Sequence, residues 1–402
     1  MIGAGVFTTS GFALADLGSP GRVLFAWALG GVAAACGALC YGALARALPE
    51  SGGEYTYLAR TLHPLAGFLA GWVSLLAGFS APIAIAALGL QAYLGSSLSI
   101  GGDARWIASA AILAAGLLHG LKLTPGVVAQ NATVALKLAL IAVFVVLGAW
   151  RLPGHAPVQA PARDFELGAL AVSLVWISFA YSGWNGAVYV GGEVRDPARN
   201  LPRALLFGTG IVTLAYLALN AVFVYAAPLA TLAGKAEVGA LAAEALGGPG
   251  LRRFLTAIVA LALFTSVLSF VMAGPRVYAK MAEDGLFPRA FAFTGELPRL
   301  ALALQVAAAL LLVWLSELRA LIGTVGFTLG LSAAATVVGL VRLRLREGPE
   351  RVPIPGFPFT PAIHLALTLF ASVFLVLREP RQALSGAALV GAGALLYLLR
   401  RR

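Results

Sequence analysis

The sequence predicts an all-α polytopic membrane protein, and three observations carry that prediction. Of its 402 residues, 60 % are hydrophobic and 11 % charged, an apolar excess over the roughly 45 to 50 % of soluble domains. At about 20 apolar residues per spanning helix, this composition supplies roughly twelve helices. The 47 glycines suit helices that approach one another closely in lipid. Finally, two stretches, 1–17 and 168–193, place glycine and polar residues where a regular span wants large apolar ones.

The elements follow in order from apolar runs bounded by charge, proline or glycine. After the irregular opening stretch come spans near 24–46, 65–95, 105–122 and 124–150. The irregular stretch 168–193 is next, followed by regular spans at 203–227, 253–279, 298–316, 319–343, 361–378 and 383–399. In the opening stretch, Val6 to Leu17 covers only about 18 Å of helix, too little for about 30 Å of hydrocarbon. In the other, Ala180-Tyr181-Ser182-Gly183-Trp184-Asn185-Gly186 interrupts the run at mid-depth. Five spans separate one interrupted helix from its counterpart, and an odd interval inverts topology. Residues 1–150 and 151–343 are therefore expected to form two five-helix units of opposite orientation, with two further helices in 344–402. Such a matched pair of interrupted helices points to a secondary transporter with its site at the breaks. Gly67 with Gly71 and Gly326 with Gly330 are expected to serve close packing alone.

The formal charge of +11 does not indicate nucleic-acid binding, because the basic residues form no concentrated face. They fall more densely in loops on one side, from Arg46 and Arg60 through Arg195, Arg199 and Arg203 to Arg342, Arg344 and Arg346. By the positive-inside rule that side is cytoplasmic, which places the protein in the cytoplasmic membrane with both termini inside. Cys36, Cys40 and four scattered histidines, His155 among them, form no disulfide framework or metal motif, and no cofactor motif occurs. Nothing resembles a secretory leader. Phosphate-binding, nucleophile-elbow and metalloprotease motifs are also missing, so an enzyme is not expected.

An open backbone around Gly3, Ala4 and Gly5, ahead of a half-helix starting near Val6, offers unpaired N–H groups and a positive helix end to a carboxylate. Carbonyls freed near Phe179, Ala180 and Tyr181 offer partial negative charge to an ammonium group or cation. An α-amino acid is the economical ligand between them. Lys137 lies near the bilayer midplane, where an ionisable group costs about 2.5 to 3.5 kcal/mol or more. It either exchanges a proton during transport or anchors the helix structurally. Because Asp16, Glu193 and Glu317 lie near span ends, no span carries a central carboxylate for a dication, which favours a neutral amino acid over a polyamine. Phe179, Tyr181 and Trp184 either line a side-chain pocket or pack. Thr265, Ser266 and Ser269 offer hydroxyls to a ligand or bond back to their own helix. In the loops, Asp196-Pro197 reads as a helix N-cap with proline at the first helical position, and Gly285 with Pro288 as a stop.

These residues resemble the amino acid/polyamine/organocation superfamily of permeases, which share the leucine-transporter fold. Ile2-Gly3-Ala4-Gly5-Val6-Phe7 looks like that family's broken first helix, and Pro49-Glu50-Ser51-Gly52-Gly53-Glu54-Tyr55 like its first cytoplasmic loop. Phe179 to Asn185 is similar to its sixth-helix break, Gly192-Glu193-Val194-Arg195-Asp196-Pro197 and Asn200-Leu201-Pro202-Arg203 to the loop that follows. Pro275-Arg276-Val277-Tyr278 with Asp284-Gly285-Leu286-Phe287-Pro288 looks like the end of its eighth helix. The resemblance implies a leucine-transporter fold with 5+5 inverted repeats and two C-terminal helices. It implies a substrate site in which amides of Gly3, Ala4, Gly5 and Val6 hold the carboxylate. Carbonyls of Phe179, Ala180 and Tyr181, with Ser182, Gly183 and Trp184 beside them, would hold the amino group. It matches Lys137 to a fifth-helix lysine that stands in for a sodium ion beside the first helix. Family members also carry a cytoplasmic half-helix before the glycine break; the expectation here is of that fold with its first half-helix missing, through a late-assigned start or a truncated paralogue. The function implied is amino-acid transport, proton-coupled or by sodium-independent exchange. The alternatives are a polyamine or sodium-coupled permease and a transport-inactive sensor.

Overall fold

The computed structural model describes residues 2–50, 53–98, 103–121, 127–152, 164–293 and 297–400, and among them there is no strand. Ser51 and Gly52 of the first-loop motif, His155, and Lys122, Arg163, Arg401 and Arg402 lie outside the described residues. The helices are α1 (Ala4–Leu17), α2 (Pro20–Ala47), α3 (Gly53–Thr61), α4 (Pro64–Val73), α5 (Ala81–Leu98), α6 (Arg105–Gly120), α7 (Val127–Arg151) and α8 (Leu167–Tyr181). They continue with α9 (Pro197–Tyr225), α10 (Leu229–Leu232), α11 (Val238–Glu283), α12 (Arg299–Leu315), α13 (Leu318–Glu347), α14 (Phe359–Arg378) and α15 (Pro380–Arg400). A π-helical turn, Ser74–Ser80, joins α4 to α5, and a 3₁₀ segment, Trp184–Glu193, follows α8. Eight helical runs are long and apolar enough to cross a membrane, and α6, α8 and α12 are apolar but shorter.

Local chemistry explains most boundaries. Gly18 adopts φ 63° and its N–H caps α1 at Leu14 O, after which Pro20 opens α2, the glycine stop and proline start that helix ends favour. Gly285, at φ 69°, ends α11 as expected. Asp196 departs from expectation. It precedes Pro197 but sits at φ 47° with no side-chain capping bond, so its carbonyl, not its carboxylate, receives Arg199 N and Asn200 N. The run Val238–Glu283 bends at Gly247 and Gly248, the latter at φ 66°. Span 65–95 is not the regular helix the sequence predicts, because Leu75 O is taken by Ser80 Oγ at 2.9 Å and Tyr278 Oη at 2.8 Å across the π turn.

The core is built where α1, α2, α8 and α9 converge. α2 runs along α9, α1 crosses α8, and α5 lies against α11. Gly326 brings α13 onto α8, since a Cβ there would meet Val175 O at 2.4 Å, and Gly67 brings α4 onto α3 at Ala59. These are the close helix approaches that small residues permit in a membrane. Towards the C-terminus, the Trp72 indole donates to Leu389 O at 2.9 Å and ties α4 to α15. Much of the apolar surface left exposed by the chain itself, such as Val146 and Trp150 on α7 and Leu377 on α14, is the face such a bundle presents to lipid.

Candidate functional site

The two interrupted helices meet at their breaks. Each is a half-span: α1 has 14 residues and α8 has 15, about 21 and 22 Å at 1.5 Å per residue. Gly5, in the first turn of α1, lies directly on Ala180, in the last turn of α8; a Cβ on Gly5 would come within 2.4 Å of Ala180 Cα. Glycine at 5 is therefore a requirement of backbone contact and not of flexibility.

The α1 end differs in detail from the sequence prediction. The helix starts at Ala4, with Gly3 extended at φ −148° and ψ −156° as its N-cap, so Ala4 and Gly5 are helical and the half-helix does not wait until Val6. The donors survive this shift, because the first turn of any α-helix leaves its leading N–H groups without intrahelical partners. Gly3, Ala4, Gly5 and Val6 thus present them together with the positive helix end.

At the other break, α8 stops at Tyr181; Ser182 is extended and Gly183 takes φ 89°, after which the 3₁₀ segment begins. Two of the three carbonyls assigned to an ammonium group already have partners. Phe179 O receives Ser182 N at 3.0 Å and Ala180 O receives Tyr216 Oη at 3.0 Å. Each keeps a second lone pair, and Tyr181 O completes the set. The aromatic residues choose packing. Tyr181 stacks with Trp27 and Tyr216 at 5.7 and 5.1 Å and donates to Trp27 O. Trp184 sets its ring edge-on to Tyr41 at 4.6 Å. Gly30 and Gly31 of α2 give Tyr181 its room, and Gly37 does so for Trp184. Phe179 is buried.

Lys137 on α7 is half-buried and points its Nζ at Thr265 Oγ1 of α11, 3.1 Å away. Thr265 donates to the carbonyls of Leu261 and Ala262, Ser266 to Ala262 O and Ser269 to Thr265 O. All three hydroxyls therefore bond back to their own helix, and Thr265 keeps a lone pair for the ammonium. The described partner of Lys137 is thus on α11, a helix that packs against α1.

A closed layer covers each side of the breaks. Towards the C-terminal end of α1, Arg319 Nη2 bonds both carboxylate oxygens of Asp16 at 3.1 Å and its guanidinium lies 4.6 Å over Trp176. Above this layer opens a polar depression of about 650 Å³. Beneath it Ser10 Oγ accepts from the Trp27 indole and donates to Asn220 Oδ1, and Gly234 N reaches Gly11 O. On the opposite side, α3 brings in Glu54, which sequence reasoning placed only in a loop motif. Glu54 is 3 % exposed and accepts hydrogen bonds from Tyr41, Asn185 and Ser332. Burial pushes its carboxyl above the usual carboxylate pKa range, and the three donors pull it back. A signal was available: Glu54, Tyr57, Leu58 and Thr61 are the buried face of α3, the i, i+3, i+4, i+7 stripe of an amphipathic helix.

The fold is thus that of an all-helical membrane protein in which a helix start lies against a helix end at the two breaks. Sequence comparison gives the class a name. The family profile described as "Amino acid permease" matches residues 1–396, and the chain belongs to that family. It is 29 % identical over 415 residues to the Large neutral amino acids transporter small subunit 2 of Rattus norvegicus, covering 99 % of this chain and 78 % of the relative. It is 28 % identical over 417 residues to the Asc-type amino acid transporter 1 of Mus musculus, covering 99 % and 78 %. It is 30 % identical over 387 residues to the Serine/threonine exchanger SteT of Bacillus subtilis, covering 92 % and 86 %.

Proposed function

We propose that the protein exchanges neutral amino acids across the cytoplasmic membrane by alternating access, without sodium. The observation that carries this reading is the contact of Gly5 with Ala180, which brings the leading N–H groups of one half-helix next to the last carbonyls of another. Charge balance supports a neutral side chain. Glu54, the one buried carboxylate among the described residues, already has three protein donors and is not free to take a substrate cation. Exchange is favoured by the likeness to a serine/threonine exchanger, and a neutral substrate by the likeness to a transporter of large neutral amino acids. The Lys137 ammonium on Thr265 supplies a positive charge of the kind that makes a sodium ion unnecessary. The distribution of basic residues supports both termini on the cytoplasmic side, with residues 1–150 and 151–343 as the two inverted units and 344–402 as the peripheral pair.

The test is uptake of labelled L-serine into proteoliposomes loaded with each of the twenty amino acids in turn, at two pH values, with and without sodium. Trans-stimulation by internal neutral amino acids, independent of sodium, is expected, and Gly5→Val is expected to abolish it by forcing the two helix ends apart. Binding of amino acids without any trans-stimulated uptake would replace the transporter with a sensor.

A further inference from the structure

Glu54 is not part of the zwitterion site, yet it is among the most thoroughly engaged side chains in the protein. Its Oε1 accepts from Tyr41 Oη at 2.6 Å and Asn185 Nδ2 at 2.9 Å, and its Oε2 from Ser332 Oγ at 2.5 Å. The three donors come from three different parts of the bundle: α2, the 3₁₀ segment after the sixth-span break, and α13. The neighbours are equally specific. Tyr57 and Trp184 each stand edge-on to Tyr41, at 6.2 and 4.6 Å. Thr336, one turn beyond Ser332 on α13, donates its hydroxyl to Ser332 O at 3.0 Å. Gly53 admits α3 to this place on two counts, being at φ 58° and so near the Tyr189 ring that a Cβ would lie 2.6 Å from it.

Hydrogen bonds to an ionised group are about twice as strong as neutral ones, and a buried carboxylate stripped of its donors pays its full desolvation cost. The set therefore holds or fails as a unit. Asn185 lies three residues beyond Ser182, where α8 ends, so any movement of the break on taking up or releasing a ligand is transmitted to Asn185. Ser332 is on α13, which also lies against α3 and α8. Opening a path from the breaks past α3 requires the 3₁₀ segment and α13 to part from α2 and α3, and each separation removes a donor from the same carboxylate.

We infer that Glu54 is the latch of the inner gate, a positioning residue that keeps the α3 side closed through Tyr41, Asn185 and Ser332 and releases when movement of residues 182–185 withdraws Asn185. This rests on the transport reading and adds to it the group that couples site occupancy to opening.

The test uses full-length protein in inside-out vesicles, with Cys36 and Cys40 replaced by alanine and a reporter cysteine at Val188, which is fully buried in the closed bundle. A membrane-impermeant thiol reagent measures inner access, and labelled L-serine exchange is measured in parallel. Glu54→Gln and, independently, Ser332→Ala are expected to raise the labelling rate at least tenfold while L-serine binding is retained. They should also lower the L-serine concentration dependence of labelling, because opening no longer waits on the ligand. Should Glu54→Gln fail to fold, Ser332→Ala, which removes one donor and no charge, carries the test alone. Labelling at the unaltered rate in folded variants overturns the latch. Failure of the unaltered protein to exchange any amino acid overturns the transport reading instead, and the two failures are read in separate assays.

Discussion

Lys137 shows how one side chain is constrained by depth. Its Nζ finds Thr265 Oγ1 at 3.1 Å, and that hydroxyl can accept because its own proton goes to Leu261 O or Ala262 O. Glutamine in its place is shorter and carries no exchangeable charge. Lys137→Gln is expected to slow exchange about tenfold, the loss of one charge-assisted bond worth about 1.5 kcal/mol, and to flatten the pH dependence of uptake. A variant whose rate still varies with pH as the unaltered protein's does would remove Lys137 from proton coupling. The sequence marks this lysine as the lone charge within an apolar run; its partner was not legible, because Thr265 is 128 residues away and hydroxyls on spanning helices mostly satisfy themselves.

The segment between α4 and α5 shows what an element owes to its surroundings. Nothing in the run Ser74-Leu75-Leu76-Ala77-Gly78-Phe79-Ser80 forbids an α-helix, and the sequence predicts one. The π turn is held from outside, by Tyr278 Oη on Leu75 O at 2.8 Å, and from within, by Ser80 Oγ on the same oxygen. π turns are uncommon and concentrate at functional places; this one lies against α11, α12 and α13. Tyr278→Phe is expected to cost about 1 kcal/mol, seen as a lower melting temperature in detergent, and to reduce exchange further than that loss explains as the turn shifts. Equal melting temperatures would show that Ser80 alone sustains the turn. The half-helices α1 and α8 are the opposite case, since glycine and polar residues at the breaks announce them without any partner.

For the molecule as a whole, the two covering layers are unequal. The Asp16–Arg319 pair is partly exposed, 24 % and 38 % by side chain, and exposed pairs contribute only about 0 to 1 kcal/mol. The cation–π contact with Trp176 adds about 0.5 to 1 kcal/mol. The Glu54 layer is buried and joins three donors on one charge. The Asp16–Arg319 side is accordingly the easier to open, and the resting protein is expected to wait with its α3 side shut. Arg319→Gln should change the external KM for L-serine by less than about fivefold, in keeping with about 1 kcal/mol, and high salt should reproduce part of that change in the unaltered protein. A loss of exchange beyond a hundredfold would mean that this pair supports the fold itself.

By itself the chain's order of residues determined the membrane class, the spacing of the spans and the two interrupted helices, because burial in lipid leaves apolar length and backbone satisfaction as local requirements that a linear pattern can express. The tertiary structure decided the rest. It set Gly5 against Ala180, engaged the Ala180 carbonyl with Tyr216, wound Ser74–Ser80 into a π turn and sank Glu54 among donors up to 278 residues away. Each of these depends on which distant group arrives at a given atom, and that is fixed only when the helices pack.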